Sequence, residues 1–268
     1  MIKKSIDYLN LQQIADSGQC FRWKKQDDNK YSVIAYGKYV EIEQNGNEFT
    51  FSCDEQEWEQ VWSKYFDMET DYGQIATMIM ESGDEHLIEA YKYGSGVRIL
   101  RQDLWEMIVS FMISQNNNIK RISNSVDLLC ERCGSPIEDR GYAFPLPHQS
   151  QEEVFADKTM GFGYRDAYLR ELYAYARENP HWLEKLEKMT YDQAMEELLQ
   201  RKGIGKKVAN CICLFGLHHV EAFPIDTHVK QLLEKYYPKG FDFDRYRGVA
   251  GIIQQYLFYY ELKGNNKK

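Results

Sequence analysis

Proline is scarce in this chain, 6 residues in 268, and its scarcity removes the commonest interruption of helices, so long helical stretches are expected. Long apolar runs are missing as well. The longest, residues 211–217, falls far short of the roughly 20 residues that cross a bilayer. Asp7, Asn10 and two glutamines break up the opening Met-Ile-Lys-Lys segment, which argues against a secretory signal. Cysteine is sparse: six residues, at positions 20, 53, 130, 133, 211 and 213, are too few for a disulfide scaffold and point to a reducing setting. Cys130 and Cys133 form a single pair with no second pair at ligand spacing, so no metal is expected. Positive charge is in deficit, 33 basic against 41 acidic residues for a net charge of −8, which opposes generic polyanion binding by the whole surface. What is present, 43% hydrophobic and 28% charged residues, excludes a disordered chain. The length suits one large domain or two modest ones.

Two textures divide the chain. From residue 20 to 53 the pattern is strand-like: residues 31–36 are rich in β-branched and aromatic side chains, and 38–43 place Val40 and Ile42 on one face. Asn45-Gly46, ahead of Phe49 and Phe51, predicts a hairpin with those two residues at the centre of its turn. Beyond Cys53 the period becomes helical. Trp58, Val61, Trp62 and Tyr65 fall at i, i+3, i+4 and i+7 and form one stripe. Residues 103–115 are apolar almost all round, as in a helix at the centre of a bundle. Further helices are expected near 119–131, 165–178, 191–201, 206–217, 226–237 and 245–262, ahead of a polar tail at 263–268. The expected fold class is α+β, with a small antiparallel sheet and helices over 1–96 and an all-α domain over 97–268.

The stretch richest in chemical signal is Arg201-Lys202-Gly203-Ile204-Gly205-Lys206-Lys207, four basic residues in seven. Gly203 and Gly205 lie between helical patterns and make a tight hairpin whose second helix starts near Lys206. Free N–H groups and the positive dipole end there suit a phosphate. The local charge reverses the global sign, so a phosphate site is compatible with the acidic balance. A plain helix–helix turn explains the glycines equally well. Lys207 falls in the first turn of the second helix, where a lone lysine is ordinarily solvated, and Cys211 follows four residues later on the same face. Asp226, after Phe223-Pro224-Ile225, reads either as the N-cap of a helix through Thr227 and His228 or as a carboxylate held against a developing positive charge.

At this point the residues reach a family. The segment 203–228 closely resembles the helix-hairpin-helix and following Pro-x-Asp loop of base-excision DNA glycosylases, and within that superfamily it resembles the 8-oxoguanine DNA glycosylases. Ser17-Gly18-Gln19-Cys20-Phe21-Arg22-Trp23 is similar to that family's N-terminal strand motif. Gly96-Val97-Arg98-Ile99-Leu100-Arg101-Gln102-Asp103 is similar to the start of its helical domain. Ser114-Gln115-Asn116-Asn117-Asn118-Ile119-Lys120-Arg121 resembles its Asn-rich motif, and Gly161-Phe162-Gly163-Tyr164-Arg165 its Gly-x-Gly-Tyr-Arg motif. Ala250-Gly251 through Gln254 to Leu257-Phe258 resembles its C-terminal recognition helix. Six motifs in the right order cover nearly the whole chain.

The resemblance implies a helix-hairpin-helix glycosylase domain after the sheet, and a bifunctional DNA glycosylase/AP lyase that flips 8-oxoguanine, opposite cytosine, out of duplex DNA. Lys207 would attack the anomeric carbon and form a Schiff base that permits β-elimination, and Asp226 would stabilise the oxocarbenium-like sugar. Gly18 would offer its carbonyl to the imidazole-ring N–H that the lesion has and guanine lacks. Cys211 and Phe258 would sandwich the base while Gln254 reads its Watson–Crick edge. Asn116, Arg121 and Arg165 would hold the orphaned cytosine, Tyr164 would wedge the vacated stack, and His228 would join Gly203 and Gly205 in contacting the DNA backbone. The same resemblance implies a partner in double-stranded DNA carrying oxidised guanine and no cofactor, and a monomer suits this chemistry; the short apolar runs point to no membrane, and the lack of a targeting or nuclear-localisation segment points to a bacterial cytoplasm where the protein meets the nucleoid.

Two positions depart from the family pattern. Lys202 stands where the hairpin often has proline, which is expected to loosen the turn and add a phosphate contact, and Gln115 replaces a small residue. Two other readings stand beside the first. One is a glycosylase for another damaged purine, although such relatives use the aspartate with water and lack the hairpin lysine. The other is a noncatalytic DNA-binding module that uses the hairpin as a phosphate clamp, which leaves Gly18, Asp226 and Gln254 without a task.

Overall fold

The computed structural model describes residues 1–150 and 152–264, so positions 265–268 of the expected polar tail lie outside the described residues. The chain opens with β1 (Ile2–Ser5), α1 (Leu11–Asp16), β2 (Trp23–Asp27), β3 (Lys30–Ala35), β4 (Lys38–Asn45) and β5 (Glu48–Phe51). The strands form one sheet in the order β1-β5-β4-β3-β2, with every neighbouring pair antiparallel. Edge strand β1 escaped the sequence reading because it is only four residues long and none of them is fully buried.

The β4–β5 hairpin forms where it is expected, but its turn is displaced by one residue. Asn45 pairs with Glu48, so Gly46 and Asn47 are the central residues, and only Gly46 has a positive φ, +63°. One left-handed glycine in first place is the type II′ solution, which keeps Asn45 in the ladder. Phe49 and Phe51 then point inward beside Val33, Val40 and Ile42, all fully buried. The segment 55–65 covers this face. Trp58, Trp62 and Tyr65 are buried there, but Val61 is only half-buried. Its backbone widens into a π-turn over Trp58–Trp62, in which the Ser63 N–H donates to the Trp58 carbonyl, and the wider turn rotates Val61 off the stripe.

The longer helices that follow are α2 (Tyr72–Met80), α3 (Glu85–Gly94), α4 (Leu104–Ile113), α5 (Ile119–Cys133), α6 (Asp166–Glu178), α7 (Tyr191–Leu199), α8 (Lys206–Phe215), α9 (Thr227–Tyr236) and α10 (Ala250–Tyr259). Every residue of α4 is buried, as its all-round apolar pattern requires. Helix α10 starts later than the expected 245, because Gly248 takes a left-handed φ of +83° just ahead of it.

Two large hydrophobic cores result, with a small third cluster of Phe223, Val229 and Ala250 beside the start of α9. The sheet core closes with Phe66 and Leu100, and the helical core takes in Tyr72 onward together with Phe21. Residues 96–102 run between them and bind the N-terminal motif. The Gln19 side chain donates to the Arg98 carbonyl at 2.8 Å and accepts from the Leu100 N–H at 2.9 Å, while Gln102 donates to the Gln19 carbonyl at 2.8 Å. Two motifs far apart in sequence thus form one structural unit. Next to them Asp67, fully buried, accepts from the Tyr72 hydroxyl at 3.1 Å and from Arg101 Nε at 3.0 Å, and lies 3.3 Å from His218 Nε2. Burial alone would raise the Asp67 carboxyl, but its bonds from His218, Thr70 and Arg101 win and hold it at about 2.

Candidate active site

The glycine hairpin joins α7 to α8. Gly203 has φ +85°, and a Cβ there would lie 2.7 Å from the Tyr168 ring, so the turn requires glycine twice over. Gly205 differs: its backbone is extended, it caps α8 without a side chain, and a Cβ would meet nothing within 4 Å. The first turn of α8 opens onto a cleft that Gly205, Lys206 and Lys207 line. Of the four basic residues, two are spent elsewhere. The Arg201 guanidinium stacks 3.9 Å over the Tyr175 ring, and the Lys202 ammonium pairs with Glu171 on α6. Without DNA, the Lys202 expected to add a phosphate contact is held in this exposed ion pair, because an acidic residue on the adjacent helix lies within its reach. Lys206 and Lys207 remain to face the cleft.

The cleft is wide, about 1110 Å³, and runs between the Asn-rich segment and the start of α9. Arg121, Lys206, Lys207 and Lys230 supply its positive lining, and His228 stands beside them. A much smaller cavity of about 50 Å³ opens behind it, bounded by Gly18, Phe111, Cys211, Gln254, Gln255 and Phe258 among others. Two residues, Lys207 and Asp226, line both spaces and therefore stand at the threshold between them. The Asp226 carboxylate is held there by local structure, accepting from the Val229 N–H at 2.8 Å as the N-cap of α9. Its two readings are thus compatible: one oxygen caps the helix while the residue still faces both cavities.

The walls of the inner pocket are mostly apolar. Lys207 Nζ lies 5.6 Å from the Phe111 ring centre, and Phe111 stacks on Phe215. Cys211 is buried, and burial pushes its thiol up while the nearby Lys207 draws it down. Gly18 takes φ +79°, and a Cβ there would sit 3.6 Å from Phe258, in ordinary contact, so its conformation and not crowding selects glycine. Buried Gln254 donates its amide to the Pro224 carbonyl at 3.2 Å, while its Oε1 has no donor. A buried acceptor without a partner is costly unless a ligand supplies one. At about 50 Å³ the inner cavity is far smaller than the cleft, and the half-buried Phe258 ring forms one of its walls. Sequence reasoning passed over Phe111, Phe215 and Gln255 here. The available signal for Gln255 was a second glutamine beside Gln254 inside an otherwise apolar helix.

Across the cleft, Asn116 adopts φ +46° and donates to the Tyr164 hydroxyl at 3.2 Å. Tyr164 is 52% exposed and so projects into solvent as a wedge would. Arg165, expected to help hold the orphaned cytosine, is turned toward neighbouring carbonyls in the free protein. Its side chain is buried, and its guanidinium donates to the carbonyls of Gln115 (2.7 Å), Phe162 (2.9 Å) and Asn116 (3.1 Å). The physical reason is the left-handed Asn116 backbone, which turns successive carbonyls toward one point. Arg121 is exposed on the cleft, as is His228. Among the described residues no three His, Cys, Asp or Glu side chains converge as metal ligands.

A lysine and a carboxylate between a cationic cleft and an apolar, flat-walled pocket can act on a bond that joins a phosphodiester backbone to a planar base. Comparison with known proteins agrees with that chemistry. A family profile described as "8-oxoguanine DNA glycosylase, N-terminal domain" matches residues 1–108. The structure is similar to that of the Clostridium acetobutylicum 8-oxoguanine glycosylase/lyase in complex with double-stranded DNA containing cytosine opposite the lesion. The two superpose with a TM-score of 0.89 at 34% identity, over 97% of this chain and 94% of that one. In sequence the chain is 30% identical over 246 residues to the N-glycosylase/DNA lyase OGG1 of Arabidopsis thaliana, covering 85% of this chain and 66% of that protein. It is 28% identical over 259 residues to the N-glycosylase/DNA lyase of Saccharomyces cerevisiae, covering 85% of this chain and 68% of that one. With sheet, hairpin, threshold pair and pocket arranged in one order over nearly its full length, the chain belongs to the 8-oxoguanine DNA glycosylase/lyase family.

Proposed function

We propose that this protein flips 8-oxoguanine out of duplex DNA opposite cytosine, cleaves its glycosidic bond and then nicks the strand. The observation that carries this reading is the position of Lys207 and Asp226 on both the cleft and the inner pocket. A flipped nucleotide keeps its phosphates in the cleft and inserts its base in the pocket, so its C1′–N bond crosses the threshold where these two residues stand.

In the reaction the free amine of Lys207 attacks C1′. The C1′–N9 bond breaks, its electron pair leaves with the base, and the base takes up a proton. The Asp226 carboxylate opposes the positive charge that builds on the sugar. Loss of a proton from nitrogen and opening of the sugar ring give the Schiff base, from which β-elimination expels the 3′-phosphate. In the pocket the orphan Gln254 Oε1 meets the N–H groups of a guanine Watson–Crick edge, and the Gly18 carbonyl meets the ring N–H found in the lesion. Undamaged guanine would set a lone pair against that carbonyl, leaving two buried acceptors face to face. Phe258 and the Cys211 side supply the stacking surfaces. On the other strand Arg121 is the free fork for the orphaned cytosine and Tyr164 fills the gap, while Arg165 braces the loop that presents Asn116. His228, Gly203 and Gly205 hold phosphates. Among the described residues no helix is long and apolar enough to cross a membrane; the reading is completed by a monomer that meets the nucleoid in a bacterial cytoplasm.

Borohydride trapping tests this reading on duplexes carrying 8-oxoguanine, guanine or an alkylated purine opposite cytosine, with wild type and Lys207→Gln. The expected result is a covalent band only with 8-oxoguanine and only in the wild type. An intact 8-oxoguanine duplex, with or without binding, would overturn it.

A further inference from the structure

Helix α10 carries two adjacent glutamines, and residues one apart on a helix point about 100° away from each other. Gln254 reaches toward the Asp226 loop through the Pro224 carbonyl. Gln255, only 2% exposed, reaches toward the N-terminal motif and donates from Nε2 to the Ser17 carbonyl at 2.7 Å, a contact spanning 238 positions of sequence. Ser17 directly precedes Gly18. The next carbonyl but one, that of Gln19, accepts from Gln102 at 2.8 Å. The Gly18 carbonyl between them accepts from none of the described residues, so two clamped neighbours flank a free acceptor.

We propose that Gln255 is a positioning residue for lesion recognition, fixing the gap between the Gly18 carbonyl and the Gln254 amide into which the damaged base fits. The proposal rests on the reading of Gly18 and Gln254 given above. A glycine at φ +79° has wide freedom in an unrestrained turn. The clamps at Gln19 tie the turn to residues 98–102, while the Gln255 bond ties it to the helix that carries Gln254 and Phe258. That helix is itself seated firmly: the Gly251 N–H donates to the Val220 carbonyl at 2.7 Å, and a Cβ at Gly251 would lie 2.5 Å from the Ala222 carbonyl. One rigid helix thereby sets the spacing of two pocket walls. Discrimination between the lesion and guanine depends on a single hydrogen bond to Gly18, and such a bond weakens steeply with small displacements.

The experiment uses the full chain and separates two steps. One is single-turnover excision of 8-oxoguanine opposite cytosine, which needs the pocket. The other is strand cleavage at a preformed abasic site, which offers no base to it. Gln255→Met fills the same space without a donor and is expected to slow excision on the order of tenfold to a hundredfold, while abasic-site cleavage stays within about twofold of wild type. Gln255→Glu adds a readout that a merely structural role would not move. Its carboxylate repels the Ser17 carbonyl, but once protonated it donates, so the ratio of excision to abasic-site cleavage should recover as pH falls from 8 to 5. Equal loss of both steps in Gln255→Met, unchanged excision, or a ratio flat with pH in Gln255→Glu would each overturn the proposal. If Gln255→Met fails to fold, the pH profile of Gln255→Glu decides. A wild type that cleaves abasic sites but leaves 8-oxoguanine in place overturns the functional reading and this inference with it; an active wild type with flat ratios overturns the inference alone.

Discussion

Asn116 and Tyr164, 48 positions apart in the chain, are joined by a hydrogen bond from the Asn116 amide to the Tyr164 hydroxyl at 3.2 Å. Arg165 secures the same junction from beneath, since its guanidinium holds the carbonyls of Gln115 and Asn116 while its carbon lies 4.6 Å from the Tyr164 ring centre. The wedge and the Asn-rich loop are therefore one assembly, and its two arginines have separable duties.

Arg165→Ala should lower unfolding stability by about 2–3 kcal/mol, because buried carbonyls lose their donors, and should also narrow the preference for cytosine opposite the lesion. Arg121→Ala should narrow that preference while leaving stability within about 0.5 kcal/mol, since Arg121 is exposed. Urea melts together with excision rates opposite each of the four bases check both. Equal stability losses in the two variants would contradict the division of duties.

Asp226→Asn separates capping from chemistry. Asparagine caps a helix about as well as aspartate, so stability should stay within about 0.5 kcal/mol. Excision should fall on the order of 10²–10³-fold, because a neutral amide no longer opposes the charge on the sugar. Single-turnover rates and thermal melts on the same preparation settle the matter, and a rate loss matched by a melting loss would mean that the residue serves only as a cap.

The salt dependence of DNA binding should distinguish basic residues that face the cleft from those that do not. Lys206→Ala and Lys230→Ala should each reduce the slope of log affinity against log salt by about 1. Lys202→Ala should leave the slope unchanged, because its ammonium is already paired with Glu171. Titrations of an undamaged duplex at several salt concentrations provide the slopes.

Asp67 should make the fold sensitive to acid. Its carboxyl sits at about 2 in the folded chain and near ~3.9 when unfolded. The unfolded state therefore takes up a proton first as pH falls, and the stabilisation, fully present above about pH 5, is lost on the way down through pH 2. The loss amounts to about 2–3 kcal/mol. Asp67→Asn should start less stable at neutral pH and show a shallower decline between pH 5 and pH 2 in denaturant melts. An equally steep decline in the variant would assign it to other carboxylates.

Local signals carried the parts of this protein that are built locally. The inward pair Phe49 and Phe51, the all-buried α4, the Gly203–Gly205 turn and the Asp226 cap each follow from residues a few positions apart. Helices α2 and α3 were also within reach, since Asp71 and Asp84 each precede them and accept from the N–H three residues on. What could not be read was settled across the fold. No periodicity links Gln255 to Ser17 or Lys202 to Glu171, and nothing in Gly161–Arg165 by itself announces that the arginine turns inward. The family resemblance names Arg165 as one holder of the orphaned cytosine; that its guanidinium also holds the carbonyls of Gln115, Phe162 and Asn116 is visible only in the fold.

The pairing of Arg201 with Tyr175 and of Lys202 with Glu171 makes the molecule directional toward DNA. The net charge of −8 opposes a duplex over the molecule as a whole, whereas the cleft, lined by Arg121, Lys206, Lys207 and Lys230, should attract it within a Debye length of about 10 Å. Such a surface favours brief, correctly turned encounters over prolonged clinging. A searching enzyme gains from this, because each visit that finds no lesion ends quickly and the next stretch of duplex can be sampled.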